Sequence, residues 1–259
     1  MIKVLSIAGS DPSSGAGIQA DLKTFQTLGV FGMAVPAALT VQNSRGVSGV
    51  EAVSAKVLSK QLQALLSDIK PDAAKTGMLL TKQNVETAAA ALKKFRIRNL
   101  IIDPVLKSTS GRVLLQSAAI NALTGKLFPL ATVVTPNLPE AELLSGMIIK
   151  SEKDMDYAAG KILDMGASYV LVKGGHRSGP AADTLYGGKT VVAFSTTRRK
   201  GEFHGTGCVL SSAIAVFMAQ GLPVEKAVEK AVEKAKQFVD RMLITAKQVG
   251  KSKTKYFIF

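Results

Sequence analysis

Apolar and polar positions alternate along this chain in short blocks of two kinds. Lys3 to Ala8 is a β-branched and apolar run, which predicts a buried strand. It stops at GSDPSSGAG, a stretch dense in turn residues. Ile18, Leu22, Phe25 and Leu28 then recur at spacings of four, three and three, one apolar helix face. Phe31 to Val41 predicts a strand bent or interrupted near Pro36. Val47 to Val53 alternates weakly, as an edge or flap strand does. Val57, Leu62, Leu65, Leu66 and Ile69 mark a helix, Asp72 to Thr76 a strand, and Gln83 to Phe95 a helix. Asn99 to Ile102 is a strand ending at Asp103-Pro104, and Ser117 to Leu127 is helical. Ala131 to Val134 is a strand ending at Thr135-Pro136-Asn137. Helices from Glu140 and over Lys153 to Met165, then a strand from Tyr169 to Val172, continue the alternation. Leu185-Tyr186 and Thr190 to Phe194, joined through Gly187-Gly188, read as a hairpin. Two helices follow, one after Gly207 and one after Pro223. VEKAVEKAVEKA, from Val224 to Ala235, repeats every four residues and reads as a surface helix, not a solenoid.

Strands alternating with helices imply an α/β three-layer sandwich: a mostly parallel central sheet with helices on both faces. In such sheets a ligand sits beyond the C-terminal strand ends. Those ends carry Gly9, Asp11, Gln42, Gly77, Asp103, Asn137 and Gly174, all small or polar.

Composition narrows the picture. The 259 residues suit one domain spanning 1–259, and 47% apolar residues are ample for its core. One Cys excludes an internal disulfide and a Cys-rich zinc site, and two His argue against a His-based one. The first apolar run is too short for a signal peptide or a membrane span, so the expectation is a soluble cytoplasmic protein with no membrane partner. The formal charge of +14 reads either as a solvated basic surface or as attraction of anions. Clusters at Lys93-Lys94, Arg198-Arg199-Lys200 and Lys247 to Lys255 lack the interleaved aromatics of a stacking platform, so no nucleic-acid partner is expected.

The single Cys lies in HGTGCVLSSAIAVFMAQG, at the start of a strongly apolar helix. A helix start offers unpaired N–H groups and a positive dipole end, and glycines let a phosphate come close. The same field is expected to lower the thiol pKa. The alternative is a glycine-rich helix entry with a small buried Cys behind it.

Further segments carry a resemblance: AGSDPSSGAGIQADLKTFQTLGV (8–30), ALTVQNSRGV (38–47), KTGML (75–79), DPV (103–105), TPNLPEAELLSG (135–146), VLVKGGH (170–176) and HGTGCVLSSAIA (204–215). In this order they resemble the hydroxymethylpyrimidine/phosphomethylpyrimidine kinases of thiamin biosynthesis, within the ribokinase-like superfamily. The resemblance runs from about residue 3 to 240. It implies Mg2+ and ATP as cofactors, a small-molecule substrate and a homodimer. It also implies two successive phosphorylations of 4-amino-5-hydroxymethyl-2-methylpyrimidine.

By that resemblance Gly205, Thr206 and Gly207 form the anion hole and Cys208 is the catalytic base. Asn137 and Glu140 help hold magnesium through water, although the pair equally reads as a capping box. Gln42 recognises the pyrimidine ring, with Gly9, Ala16, Asp21, Met78 and Val105 around it. From the residues alone Gln42 is also a turn-facing amide and Asp21 a solvated helix carboxylate. Lys173, before Gly174-Gly175, is placed to meet a phosphate, or is a surface lysine. Lys173, Gly174, Asn137 and Glu140 together make the expected nucleotide side. His176 and His204 receive no catalytic role. Two departures from the family pattern stand out. Thr109 sits where a Lys often follows Asp-Pro-Val, with Lys107 nearby, and the chain ends in VGKSKTKYFIF rather than a Gly/His-rich segment. The competing functions are a pyridoxal or pyridoxine kinase of the same branch, a non-catalytic nucleotide- or vitamin-binding regulator, and a nucleic-acid binder.

Overall fold

The computed structural model describes residues 1–107, 111–174, 181–188, 190–196, 201–221 and 227–259. Thr109, Gly175, His176, Arg198-Arg199-Lys200 and Pro223 lie outside the described residues. Among the described residues nine strands form one sheet: β1 (Lys3–Ser10), β2 (Phe31–Asn43), β3 (Gly46–Ala52), β4 (Ala73–Thr76), β5 (Leu100–Ile102), β6 (Val133–Val134), β7 (Tyr169–Val172), β8 (Ala181–Gly187) and β9 (Thr190–Thr196). Their order is β3-β2-β1-β4-β5-β6-β7-β8-β9. The five inner pairings, from β2-β1 to β6-β7, are parallel. The three outer ones, β2-β3, β7-β8 and β8-β9, are antiparallel. The fold is therefore the expected α/β sandwich with a mostly parallel sheet. Antiparallel neighbours need no crossover helix, and only two residues separate β2 from β3.

Among the described residues eight α-helices cover the faces: α1 (Gly17–Thr27), α2 (Ala55–Asp68), α3 (Lys82–Lys94), α4 (Ser117–Ala122), α5 (Leu138–Ser145), α6 (Glu152–Leu163), α7 (Thr206–Ala219) and α8 (Ala227–Thr245). Strand alternation divides the core in two. Leu5, Ile7, Leu100 and Ile102 point to one face, where Leu58, Leu62, Leu92, Leu144 and Ile162 of α2, α3, α5 and α6 meet them. Val4, Ile101 and Val133 point to the other, against Phe25 of α1, Val209 to Met218 of α7 and Val232 of α8. The middle of helix α7 is buried all round because it lies between the sheet and α8. Its residues Val209 to Met218 are all buried, and two of them are serines.

Several boundaries differ from expectation. Strand β2 runs unbroken through Pro36, and the predicted bend is a bulge in its pairing: Ala8 meets Pro36, but Gly9 meets Ala38. A missing N–H is tolerated where the ladder slips by one residue. The helix expected over Ser117 to Leu127 is α-helical only to Ala122, then widens into a π turn at Leu123–Leu127 and tightens to 3-10 at Phe128–Leu130. Pro129 lacks the N–H that would continue the α-helix. A small ribbon, β10 (Lys247–Gln248) with β11 (Lys255–Tyr256), lies where sequence showed only a Lys-rich tail.

Candidate active site

The C-terminal strand ends open into a cavity of about 790 Å³. Among the described residues, the candidate site residues named from the sequence line it, except Asp21 and Gly174. One wall is the start of α7. Gly205 precedes it with φ of 81°, and a Cβ there would collide with the Gly15 carbonyl oxygen. Only glycine lets the two turns touch in this way. No side chain caps the helix, so its first N–H groups are open to an anion in the cavity. A Cβ on Gly207 would stand 3.2 Å from Lys173 Nζ, so the helix start and that ammonium border one space.

Lys173 directly follows β7, and a backbone bridge ties it to Asn137. Its Nζ lies 2.8 Å from Asp103 Oδ1, and Thr135 Oγ1 donates to the same oxygen at 3.3 Å. Burial alone would raise the Asp103 pKa, but Lys173 and Lys75 hold it below its ordinary value. Burial alone would lower Lys173, and Asp103 and Glu140 hold it above. Lys173 is thus a charged cavity residue, not a surface lysine. Asn137 and Glu140 do form the capping box of α5. Asn137 Oδ1 accepts from Glu140 N at 2.9 Å, and Glu140 Oε2 accepts from Asn137 N at 2.8 Å. Burial pushes Glu140 up to about 7, with Lys173 pulling the other way. Gly174, behind the cavity wall, donates its N–H to Asp183 Oδ1 at 3.0 Å. Lys236 of α8 donates to the other Asp183 oxygen at 2.6 Å.

Cys208 is half-buried in the first turn of α7. The helix field was expected to lower its pKa, and the outcome is the reverse. Burial pushes the thiol up to about 11, because nearby Asp21 and Asp103 offset much of the pull of Lys75. Asp21 is not a solvated helix carboxylate. It is fully buried and holds both oxygens 2.9 Å from Lys75 Nζ. Ser6 donates to it at 2.5 Å and Ser212 of α7 at 2.7 Å. Sequence reading missed Lys75, although the signal was there: one charged residue inside Ala73–Thr76, a wholly buried strand.

The far end of the cavity is apolar. Met78 and Val105 belong to a small apolar cluster with Ala38, Leu80 and Leu114. A Cβ on Gly9 would collide with Met78 Cε, so that glycine lets the methionine lie flat on the strand end. Ala16 and Lys107 also border the space. Gln42 follows a slip in the β2-β3 ladder between Val41 and Gln42, which turns it inward. It is no turn-facing amide: its nitrogen lies 2.9 Å from His204 Nε2. That same Nε2 lies 2.9 Å from Asp11 Oδ2. Sequence reading gave His204 no role, because its partners lie 162 and 193 residues away along the chain.

Among the described residues no group of three His, Cys, Asp or Glu gathers to bind a metal directly. No helix among them is long and apolar enough to cross a membrane.

Known proteins resemble this chain over nearly its whole length. The phosphomethylpyrimidine kinase family model matches residues 11–256. A hydroxymethylpyrimidine/phosphomethylpyrimidine kinase of Rhizobium meliloti is 48% identical, over 86% of this chain and 85% of its own. A thiamine biosynthesis bifunctional protein of Geobacter sulfurreducens is 43% identical over 96% of this chain, which spans only 50% of that longer protein. Among solved structures, a phosphomethylpyrimidine kinase of Clostridium difficile superposes with a TM-score of 0.82 at 40% identity, covering 94% of this chain and all of that one. The pyridoxal kinase of Staphylococcus aureus in complex with AMP-PCP superposes with a TM-score of 0.89 at 35% identity, covering 99% and 93%. The sandwich is the fold these kinases share, and with the family model matching nearly end to end, the chain belongs to the phosphomethylpyrimidine kinase family.

Proposed function

We propose that this chain, acting as a single kinase domain over 1–259, uses ATP to phosphorylate 4-amino-5-hydroxymethyl-2-methylpyrimidine. It then phosphorylates the monophosphate to the diphosphate, as a step of thiamin biosynthesis. The observation that carries the reading is one cavity with a ring-sized apolar end at Gln42 and Met78, and an uncapped helix start facing Lys173 at the other. The relatives named above for these two substrates support it.

The first-turn N–H groups at Thr206 and Gly207 take up charge that develops on the transferring phosphoryl group, and Lys173 adds its positive charge. Cys208 accepts the proton of the substrate hydroxymethyl group as it attacks. In the second step the attacking phosphate oxygen is already ionised near pH 7 and needs no base. Asp21 does not line the cavity; its part is to hold Lys75 beneath Cys208. Asn137 and Glu140 suit a magnesium ion held through water. They supply hard oxygen donors, and two of those oxygens already accept backbone N–H groups, which favours outer contacts over a protein cage. When bound, that ion neutralises phosphate charge. A homodimer fits Leu39 and Val41, exposed two residues apart on β2. A cytoplasmic location fits a free thiol at the site.

Pyridoxal kinase is the second reading, favoured by the higher TM-score of the Staphylococcus aureus enzyme. The test mixes the protein with Mg-ATP and, separately, the hydroxymethylpyrimidine, its monophosphate or pyridoxal. ADP release and product mass are followed. Diphosphate formed from the monophosphate is the expected result, and turnover of pyridoxal alone would transfer the assignment.

A further inference from the structure

His204 is held from several sides. Tyr256 packs edge-on to its ring, with centroids 5.2 Å apart. Gly15 has no Cβ, and one would collide with His204 Cδ2. Asp11 Oδ2 lies 2.9 Å from Nε2. Asp11 also accepts from Ser13 N at 2.8 Å, Ser13 Oγ at 2.7 Å, Gly15 N at 3.2 Å and Ala16 N at 2.8 Å. A group facing so many donors is a carboxylate, and a carboxylate only accepts. Burial opposes ionisation, yet hydrogen bonds from His204 and Ser13 hold its pKa below the ordinary value. Nε2 must therefore carry a hydrogen, whether the ring is neutral or protonated. A nitrogen that already donates cannot accept from an amide NH2.

The near end of the Gln42 amide, 2.9 Å from Nε2, is then better filled by the carbonyl oxygen than by nitrogen. The two ends are alike in size, and their partners decide which is which. We propose that His204, anchored by Asp11, is a specificity-determining residue. It fixes the direction of the Gln42 amide, with oxygen toward the imidazole and NH2 away from it, and thereby the order of donor and acceptor that a ring must present. The inference rests on the reading that Gln42 faces the ring while the hydroxymethyl group points at Cys208.

The chemistry sets a sharp discrimination. A 4-aminopyrimidine offers a donor at its amine and an acceptor at the adjacent ring nitrogen. Its amine meets the amide oxygen and its ring nitrogen meets the amide N–H. The 4-oxo analogue, with an acceptor at oxygen and a donor at the ring N–H, presents the reverse order. It cannot turn over without withdrawing its hydroxymethyl group from Cys208. A locked amide leaves buried groups facing like groups, which rejects a ligand far more strongly than lost packing does.

The experiment compares kcat/KM for the 4-amino substrate and its 4-oxo analogue in the wild type and in His204→Phe, which keeps an aromatic ring against Tyr256 but no N–H. The wild type is expected to prefer the amine by at least about 100-fold. In His204→Phe the amide is free to rotate, and the preference should fall to within about 10-fold. Equal loss with both rings, leaving the preference intact, makes His204 merely structural and overturns the proposal. A second measurement needs no turnover: the imidazole 15N spectrum of the wild type, assigned with His176→Gln, since the chain has two His. Nε2 is expected to carry a hydrogen whether the ring is neutral or charged. A pyridine-type Nε2 at high pH overturns the proposal even if both rings are substrates. Turnover of neither ring counts against the functional reading, while the spectrum still decides the direction of the amide.

Discussion

Cys208 shows two physical effects in opposition. The start of α7 favours a thiolate, whereas burial beside the carboxylates of Asp21 and Asp103 disfavours it, and burial wins with a pKa of about 11. Because the folded value is raised, the group is a thiol near pH 7 and its thiolate fraction grows tenfold per pH unit until about 11. If Cys208 is the base, kcat/KM of the first phosphorylation should climb with pH between about 6 and 9. Cys208→Ala should flatten that profile and slow the first step by about 100-fold or more, sparing the second. Initial rates with the hydroxymethylpyrimidine and with its monophosphate check this. A flat wild-type profile, or equal losses in both steps, would remove the base assignment. The sequence shows that this Cys heads a helix. It does not show Asp21 and Asp103, whose approach the sheet arranges, and so the direction of the shift was not legible there.

At the scale of elements, the site depends on two turns in contact: residues 11–16 after β1, and residues 201–205 before α7. Gly205 is where they meet. Gly205→Ala would place a Cβ against the Gly15 carbonyl and force an L residue to φ of 81°. The strain should cost about 1–3 kcal/mol of stability. Moving Gly15 and Ala16 should also lower kcat/KM by at least about 10-fold, since a small misplacement far exceeds the tolerance of a reacting pair. Gly125→Ala is the control. Nothing lies within 4 Å of the added methyl, so melting temperature and activity should hold. Thermal melts and steady-state rates on both variants decide it. An unchanged Gly205→Ala would mean the two turns have room to spare. Most elements were legible because each buries one periodic face, as Leu58, Leu62 and Leu66 of α2 do. The end of the helix at Ala122 was not, because the π turn that follows keeps helical spacing in its apolar residues.

For the whole molecule, the charge of +14 and the exposed edge of the sheet are the features that bear on partners. Leu39 and Val41 are 51% and 59% exposed, and they lie on one face of β2 beside the outermost strand β3. Adjacent exposed apolar side chains on a sheet margin favour burial against a second copy. Light scattering should therefore give twice the mass of one chain, and Val41→Asp should shift the protein toward monomer without altering its melting at high concentration by more than about 1 kcal/mol. A wild type that stays monomeric at every concentration sinks the homodimer.

The sequence by itself determined the layer architecture, the family, and many of the residues that line the cavity. Strand and helix periods, turn glycines and short motifs are local properties, and local spacing carries them. Tertiary structure alone decided the charge states and the pairings. Lys75 meets Asp21 across 54 residues, Lys173 meets Asp103 across 70, and Gln42 meets His204 across 162. Those contacts exist only once parallel strands bring their ends together. A pKa or an amide's direction depends on what lies a few ångströms away, which chain order does not encode.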